Sequence, residues 1–276
     1  MRPVLQEPVR VDRVEIAIAG LPPTLEGLKL AQLSDFHYDG ERLADKILID
    51  AIAAVNAAAV DLILLTGDYI TDSPKPIHQL VQHLQQLESR YGIYACLGNH
   101  DIYFPNSRKP VVNALTSVGI NVLWNEIAYP MGSELAIAGL ADFWSGQFQP
   151  APVLNQIDPQ TPRIVLSHNP DTAALLQKWR VDLQLSGHTH GGQIMLPGRI
   201  SLPLLLQNWS PWLPKSIQGL IPMAKKCKAV VQHWEWGQGW HQIGDNQLYV
   251  NRGLGSYFPG RFGCPPEVTV MTLKTA

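Results

Sequence analysis

Five apolar runs in this chain, KLAQLSDFH, DLILLTGD, YACLGNHD, RIVLSHNP and VDLQLSGHTH, each break at a side chain with a lone pair to donate. The residues so placed are Asp35 and His37, Asp68, Asn99, His168, and His188 with His190. Together they have the composition of a dinuclear metal site. Two divalent ions about 3.5 to 4 Å apart hold a phosphoryl group, acidify bound water and neutralise the departing oxygen. Such a centre needs one bridging carboxylate, and Asp68, behind the tight turn that Gly67 permits, is the candidate. Asp35 and His37 stand two apart, so on a regular strand they would face one ion together, and His188 and His190 have the same spacing. Oxygen and nitrogen donors without thiolate suit Mn, Fe or Zn.

Each run reads as a buried strand, and the mouths of open α/β sheets are where sites form. Residues 9 to 19 alternate with period two, as a strand with one exposed face does, and strand 28 to 34 follows. Helical spacing predicts helices over 43 to 59, from Ile77 to Leu87, over about 107 to 118, and from Pro170 to Trp179 with Asn169 as N-cap. INVLWNEI and ELAIAGLAD add strands midway, HQIGDNQLYV reads as a hairpin turning at Asp245 and Asn246, and PPEVTVMTL as a final strand of the second sheet. The fold class is α/β, a layered β-sandwich flanked by α-helices, with residues 1 to 276 as one domain because the donors run from Asp35 to His190.

A net charge of −2 over 276 residues gives no electrostatic footprint for bulk nucleic-acid binding. Cys96, Cys227 and Cys264 are too widely spaced for a disulfide framework or a thiolate site, and Cys96 reads as core. The first twenty residues are charged and lack the apolar stretch of a signal peptide, so the chain reads as cytoplasmic. His78 and His83 fall on the polar side of their helix, and His233 and His241 sit among Trp234, Trp236 and Trp240, as surface packing or as a stacking platform.

Taken in order, SDFH, TGDY, LGNHD, LSHNP and SGHTHGGQ resemble the signature of the calcineurin-like metallophosphoesterases. Any one string alone is usually a turn; five in order are not. The resemblance implies that Asp35, His37, Asp68 and His190 bind one divalent ion and that Asp68, Asn99, His168 and His188 bind the other. It places His100 beside the phosphate as the catalytic residue that assists the leaving group, with Asp101 orienting it or anchoring the loop. The implied mechanism is in-line attack on phosphorus by hydroxide, without a phosphoenzyme. Protein phosphatases of this family continue the second motif as GDxxDRG, whereas GDYITDS here lacks the arginine, which argues against phosphoprotein hydrolysis.

YVNRGLG and RFGCPPEVTVMTL are most similar to the bacterial phosphodiesterase branch, which includes membrane-associated enzymes and UDP-diacylglucosamine pyrophosphohydrolases. The expected activity is hydrolysis of a phosphodiester or pyrophosphate bond in a small-molecule, nucleotide-sugar or lipid-linked substrate. The alternatives are a phosphomonoesterase acting on a nucleotide or small metabolite and, ranked last, a silent scaffold. Arg252 and Arg261 are candidates for a phosphate oxygen or for ion pairs. An apolar insertion at about 199 to 228 is broken by Pro203, Pro211, Pro214 and Pro222 and flanked by Lys215, Lys225, Lys226 and Lys228. It is too interrupted to span a membrane. It reads as a loop folded on the core or, through residues 201 to 228, as a peripheral contact with membrane or acyl chain.

Overall fold

The computed structural model describes residues 3–196, 200–209 and 230–276. Two six-stranded sheets pack face to face. The first runs β1 (Arg10–Ile18), β15 (Glu267–Thr275), β2 (Lys29–Leu33), β3 (Leu62–Leu65), β4 (Ile93–Ala95) and β5 (Ile120–Val122). The second runs β13 (Gly239–Ile243), β14 (Asn246–Val250), β10 (Leu183–Ser186), β9 (Arg163–Leu166), β8 (Ala136–Gly139) and β6 (Glu126–Ala128). A short strand β7 (Pro130–Ser133) precedes β8, and β11 (Met195–Leu196) pairs with β12 (Ile200–Ser201) as a separate ribbon.

β2, β3, β4 and β5 are parallel, as are β8, β9, β10 and β14, and both faces of these strands are covered. On β3, Leu62 and Leu64 meet Ile164, Leu166, Leu183 and Leu185 between the sheets. Ile63 and Leu65 point the other way, into the cluster with the helices. This two-sided burial is why the runs are continuously apolar. Helices α1 (Asp45–Ala57), α2 (Ile77–Leu84) and α4 (Arg108–Ser117) close the outer face of the first sheet through Leu48, Ile52, Leu80 and Leu115. The second sheet is closed by α5 (Pro150–Leu154) and α6 (Thr172–Leu176). A five-residue helix, α3 (Asn99–Tyr103), starts at the GNHD motif and has no periodic signal in the sequence.

Five local expectations are corrected. The run INVLWNEI is two strands in different sheets, because Asn125 takes a left-handed φ of 57° and turns the chain from β5 into β6. The fourth helix stops at Leu176, where the Asn246 side-chain amide takes the carbonyls of Leu176 and Trp179, both at 3.1 Å. Asn169 Oδ1 does accept from a backbone N–H, that of Asp171, but the helix begins later, at Thr172. The C-terminal hairpin turns at Gly244 and Asp245 and completes the second sheet, whereas β15 inserts into the first, parallel to β1 and antiparallel to β2.

Of the apolar insertion, the described part is helix α7 (Leu202–Trp209), whose Leu204 packs on Val231 and Trp234 while Trp209 is exposed. Lys215, Lys225, Lys226, Lys228, Pro211, Pro214, Pro222 and Cys227 lie outside the described residues. Among those described, no helix is long and apolar enough to cross a membrane.

Candidate metal centre

The parallel strands of both sheets end at the same rim, and the seven predicted donors meet there. Asp35 and His37 follow β2, Asp68 follows β3, Asn99 follows β4, His168 follows β9, and His188 with His190 follow β10. Asp68 Oδ2 lies 3.4 Å from His37 Nε2 and 3.1 Å from His168 Nε2, so it stands between two groups of donors. On one side, Asp35 Oδ1 is 3.5 Å from His190 Nε2 and His190 Nε2 is 3.1 Å from His37 Nε2. On the other, His188 Nδ1 and Asn99 Oδ1 each lie 3.2 Å from His168 Nε2.

These residues do not extend the strands regularly. Asp35, His37, Asp68, His188 and His190 all have left-handed backbones, with φ between 43° and 71°. The i, i+2 argument thus brings Asp35 and His37 together through the wrong geometry, and it does not hold for His188 and His190, which fall in different groups of donors. Two successive reversals around Phe36, not a pleat, turn both side chains inward, and Phe36 is fully buried. Left-handed backbone in non-glycine residues costs about 1 to 2 kcal/mol each and persists where the surroundings enforce it.

The enforcement is visible. Asp101 is fully buried and its carboxylate accepts the backbone N–H groups of Asp68, Gly98, Tyr69 and Ile70. Of its two expected roles, it takes the loop-anchoring one. His188 N–H donates to both oxygens of Asp35, tying the β10 loop to the β2 loop. Gly67, at φ +94°, passes against Gly98, where a Cβ would overlap the Gly98 nitrogen.

The outward nitrogens of the imidazoles are also occupied. His168 Nδ1 donates to the Thr66 carbonyl at 2.7 Å, His188 Nε2 to that of Val230 at 3.0 Å, and His190 Nδ1 to that of Gly255 at 3.1 Å. In the neutral rings this fixes the tautomers and puts the lone pairs on the inward nitrogens. His37 Nδ1 lies 3.2 Å from the hydroxyl of Tyr257. Inward lone pairs about 3 Å apart, with two buried carboxylates among them, repel unless a cation lies between them, and the donor set therefore fits divalent metal.

Protonation states follow from this crowding. Burial opposes a charge on His168, yet Asp68 beside it, with Asp35 and Asp142, raises it to about 10. Burial likewise opposes the Asp68 charge, but His168 and His100 hold that carboxyl well below its ordinary range. Burial, helped by the charge of His168, lowers His188 to about 3, and burial holds His37 and His190 well below the usual histidine range. Burial raises Asp35 to about 6.

His100 stands half-buried beside the cluster, its ring 4.8 Å from that of His37. Its Nδ1 donates to the Thr71 carbonyl at 2.9 Å, and its Nε2 lies 3.3 Å from the hydroxyl of Tyr257. His37, Asp68 and His100 also lie close enough to group around one position. Tyr257 therefore joins His37 to His100, a contact across 220 residues of sequence that no local pattern signals. Arg42 covers its ring at 5.0 Å.

Other sequence candidates lie elsewhere. Arg261 is 1% exposed and its guanidinium donates to the carbonyls of Gly255, Arg252 and Gly253, so it clamps the loop behind His190. Arg252 pairs with Asp12 and Glu267. Both are paired with internal partners, and of its two expected roles Arg252 takes that of the ion pair. His233 stacks on Trp236 at 4.0 Å and pairs with Glu235. His78 is exposed, and Cys96 and Cys264 are buried free thiols.

Residues 28–192 match the model of the calcineurin-like phosphoesterase family. The chain is 32% identical to phosphodiesterase YaeI of Escherichia coli over 89% of its own length and 82% of that protein. It is 28% identical to the UDP-2,3-diacylglucosamine pyrophosphatase LpxG of Chlamydia trachomatis, over 90% of this chain and 84% of that one. The crystal structure of TT1561 of Thermus thermophilus superposes with a TM-score of 0.51 at 10% identity, covering 83% of this chain and 90% of the other, a likeness of fold alone.

Proposed function

The chain belongs to the calcineurin-like phosphoesterase family and is a hydrolase of phosphoric esters, and from that premise we propose that it cleaves a phosphodiester or pyrophosphate bond at a dinuclear centre. The observation that carries this reading is Asp68, whose one carboxylate oxygen faces His37 on one side and His168 on the other. Asp35, His37, Asp68 and His190 would hold one ion, and Asp68, Asn99, His168 and His188 the second. Bound there, two divalent ions of Mn, Fe or Zn supply Lewis acidity, polarising the phosphoryl oxygens and acidifying water.

The protein's own part is positioning and proton traffic. The carbonyls of Thr66, Val230 and Gly255 hold three imidazoles as lone-pair donors, so no ring must reorient when substrate arrives. His100 has Nδ1–H committed to Thr71, which leaves Nε2 as the nitrogen that exchanges a proton, and we assign it delivery of that proton to the leaving oxygen. Its second neighbour there is the hydroxyl of Tyr257, 3.3 Å from Nε2, a hydrogen-bond partner for that nitrogen.

By their names, the phosphodiesterase acts on a phosphorus that joins two organic groups, and the diacylglucosamine pyrophosphatase on one that joins an organic group to a second phosphate. That favours a diester or diphosphate over a monoester, and a lipid-linked or nucleotide-linked molecule fits the same frame. One domain spanning residues 1 to 276 belongs to this reading, as does peripheral contact of the exposed Trp209 with lipid. Protein reconstituted with Mn²⁺ should hydrolyse bis(p-nitrophenyl) phosphate faster than p-nitrophenyl phosphate. Asp68→Ala and His188→Ala should each remove the activity. Full metal-dependent turnover in either variant would refute the site, and a preference for the monoester would refute the bond assignment.

A further inference from the structure

Beside the donors lies a cavity of about 390 Å³ that the chemistry so far leaves unused. Asn99 forms part of its wall, so the cavity opens from the centre itself. Trp144 stands at its edge, 48% exposed, with its ring edge-on to His188 at 4.9 Å. Tyr103, at the end of α3, is 77% exposed on the same wall. Two large rings left in water beside a reactive centre are surfaces for stacking.

The remaining wall is polar and pre-set. The side-chain oxygen of Gln147 accepts from Trp124 Nε1 at 2.9 Å and from Arg108 Nη1 at 3.0 Å, while the Arg108 guanidinium lies 4.8 Å over the Trp124 ring. With its oxygen doubly engaged, Gln147 keeps an amide NH₂ that has no partner among the described residues. The Asn125 side chain holds this loop by donating to the Gln147 carbonyl at 2.7 Å. An acyl chain would bury guanidinium, amide and hydroxyl groups without partners. A second phosphate would find a guanidinium already laid on one ring and shared with an amide. A flat ring that carries acceptors at its edge satisfies both kinds of wall.

We propose that this cavity is the subsite for a nucleobase attached to the scissile phosphate, with Trp144 and Tyr103 stacking the ring and the Gln147 amide donating to its edge. The inference rests on the phosphoester-hydrolase reading of the adjoining centre and names its substrate class as nucleotide-linked. Its volume lies at the lower end of the range for small-ligand pockets, enough for a base with its ribose.

The test compares two ligands that differ only by the base. Metal-loaded protein is titrated calorimetrically with uridine 5′-monophosphate and with ribose 5-phosphate, and the same is done for Trp144→Ala and Tyr103→Ala, with metal content measured in each. Stacking predicts that the nucleotide binds about 5- to 150-fold more tightly than the sugar phosphate. That advantage should shrink toward unity in Trp144→Ala. Equal affinities in the parent protein, or an advantage that survives undiminished in both variants, overturns the subsite while leaving the hydrolase reading standing. Failure of both ligands to bind, together with absence of bis(p-nitrophenyl) phosphate hydrolysis, brings down the hydrolase reading and the subsite with it.

Discussion

His168 illustrates how far a residue's chemistry depends on neighbours distant in sequence. Its raised proton affinity, up to about 10, comes from Asp68 and Asp35 beside it, against the opposing effect of burial. A histidine with a raised folded value stabilises the metal-free fold fully below its ordinary 6.5, and that contribution is lost as pH rises through about 10. A cation needs the same nitrogen, so its uptake must expel that proton. Apparent metal affinity should rise about tenfold per pH unit below about 10 from this group alone. Titration in two buffers of different ionisation heat measures the release; heats independent of buffer would disprove it. Tyr257 offers a second test, because it touches His37 and His100 without belonging to either motif. Tyr257→Phe should keep its metal and KM while kcat falls by about tenfold, a modest share of what a positioned acid contributes. Unchanged kcat would show the hydroxyl to be a bystander. The candidate donors were legible because they break apolar runs in a known order. Tyr257 was not, because its partnership is made only by folding.

At the scale of elements, the buried strands were legible from their continuous apolar character, and α1, α2 and α4 from their periodicity. What periodicity could not show were the places where a single side chain from elsewhere decides an element's end. Asn246 stops α6 from the far side of the second sheet, and Asn125 divides one apolar run between two sheets. Likewise β15 has two buried faces, so its pattern alone did not say which sheet it joins. The loops after β3 and β4 show the tightest dependence, since Gly67 and Gly98 lie backbone to backbone beneath Asp68. Gly67→Ala combines strain at φ +94° with overlap against backbone that has no room to yield. It should cost about 2 kcal/mol or more in urea unfolding and reduce metal content as Asp68 moves. Stability and metal content equal to the parent's would contradict that packing.

On the scale of the whole molecule, the two sheets meet twice, once through the apolar cluster between them and once through the rim of donors. The Asp35 carboxylate of the first sheet and the His188 N–H of the second make the direct link. The seam is therefore held by oil over most of its area and by charge at one end. The left-handed backbones at Asp35, His37, Asp68, His188 and His190 give that seam a history as well as a shape. Each is a position that, on the proposed reading, serves the metal before it serves the fold, and glycine would sit there with less strain. Metal-free His188→Asn protein should unfold at the same temperature as the metal-free parent or higher, while falling below the metal-loaded parent; a clear loss relative to the metal-free parent would contradict this. If it holds, the drift of such a chain toward an inactive relative runs downhill in stability, and only selection for turnover keeps the donors in place.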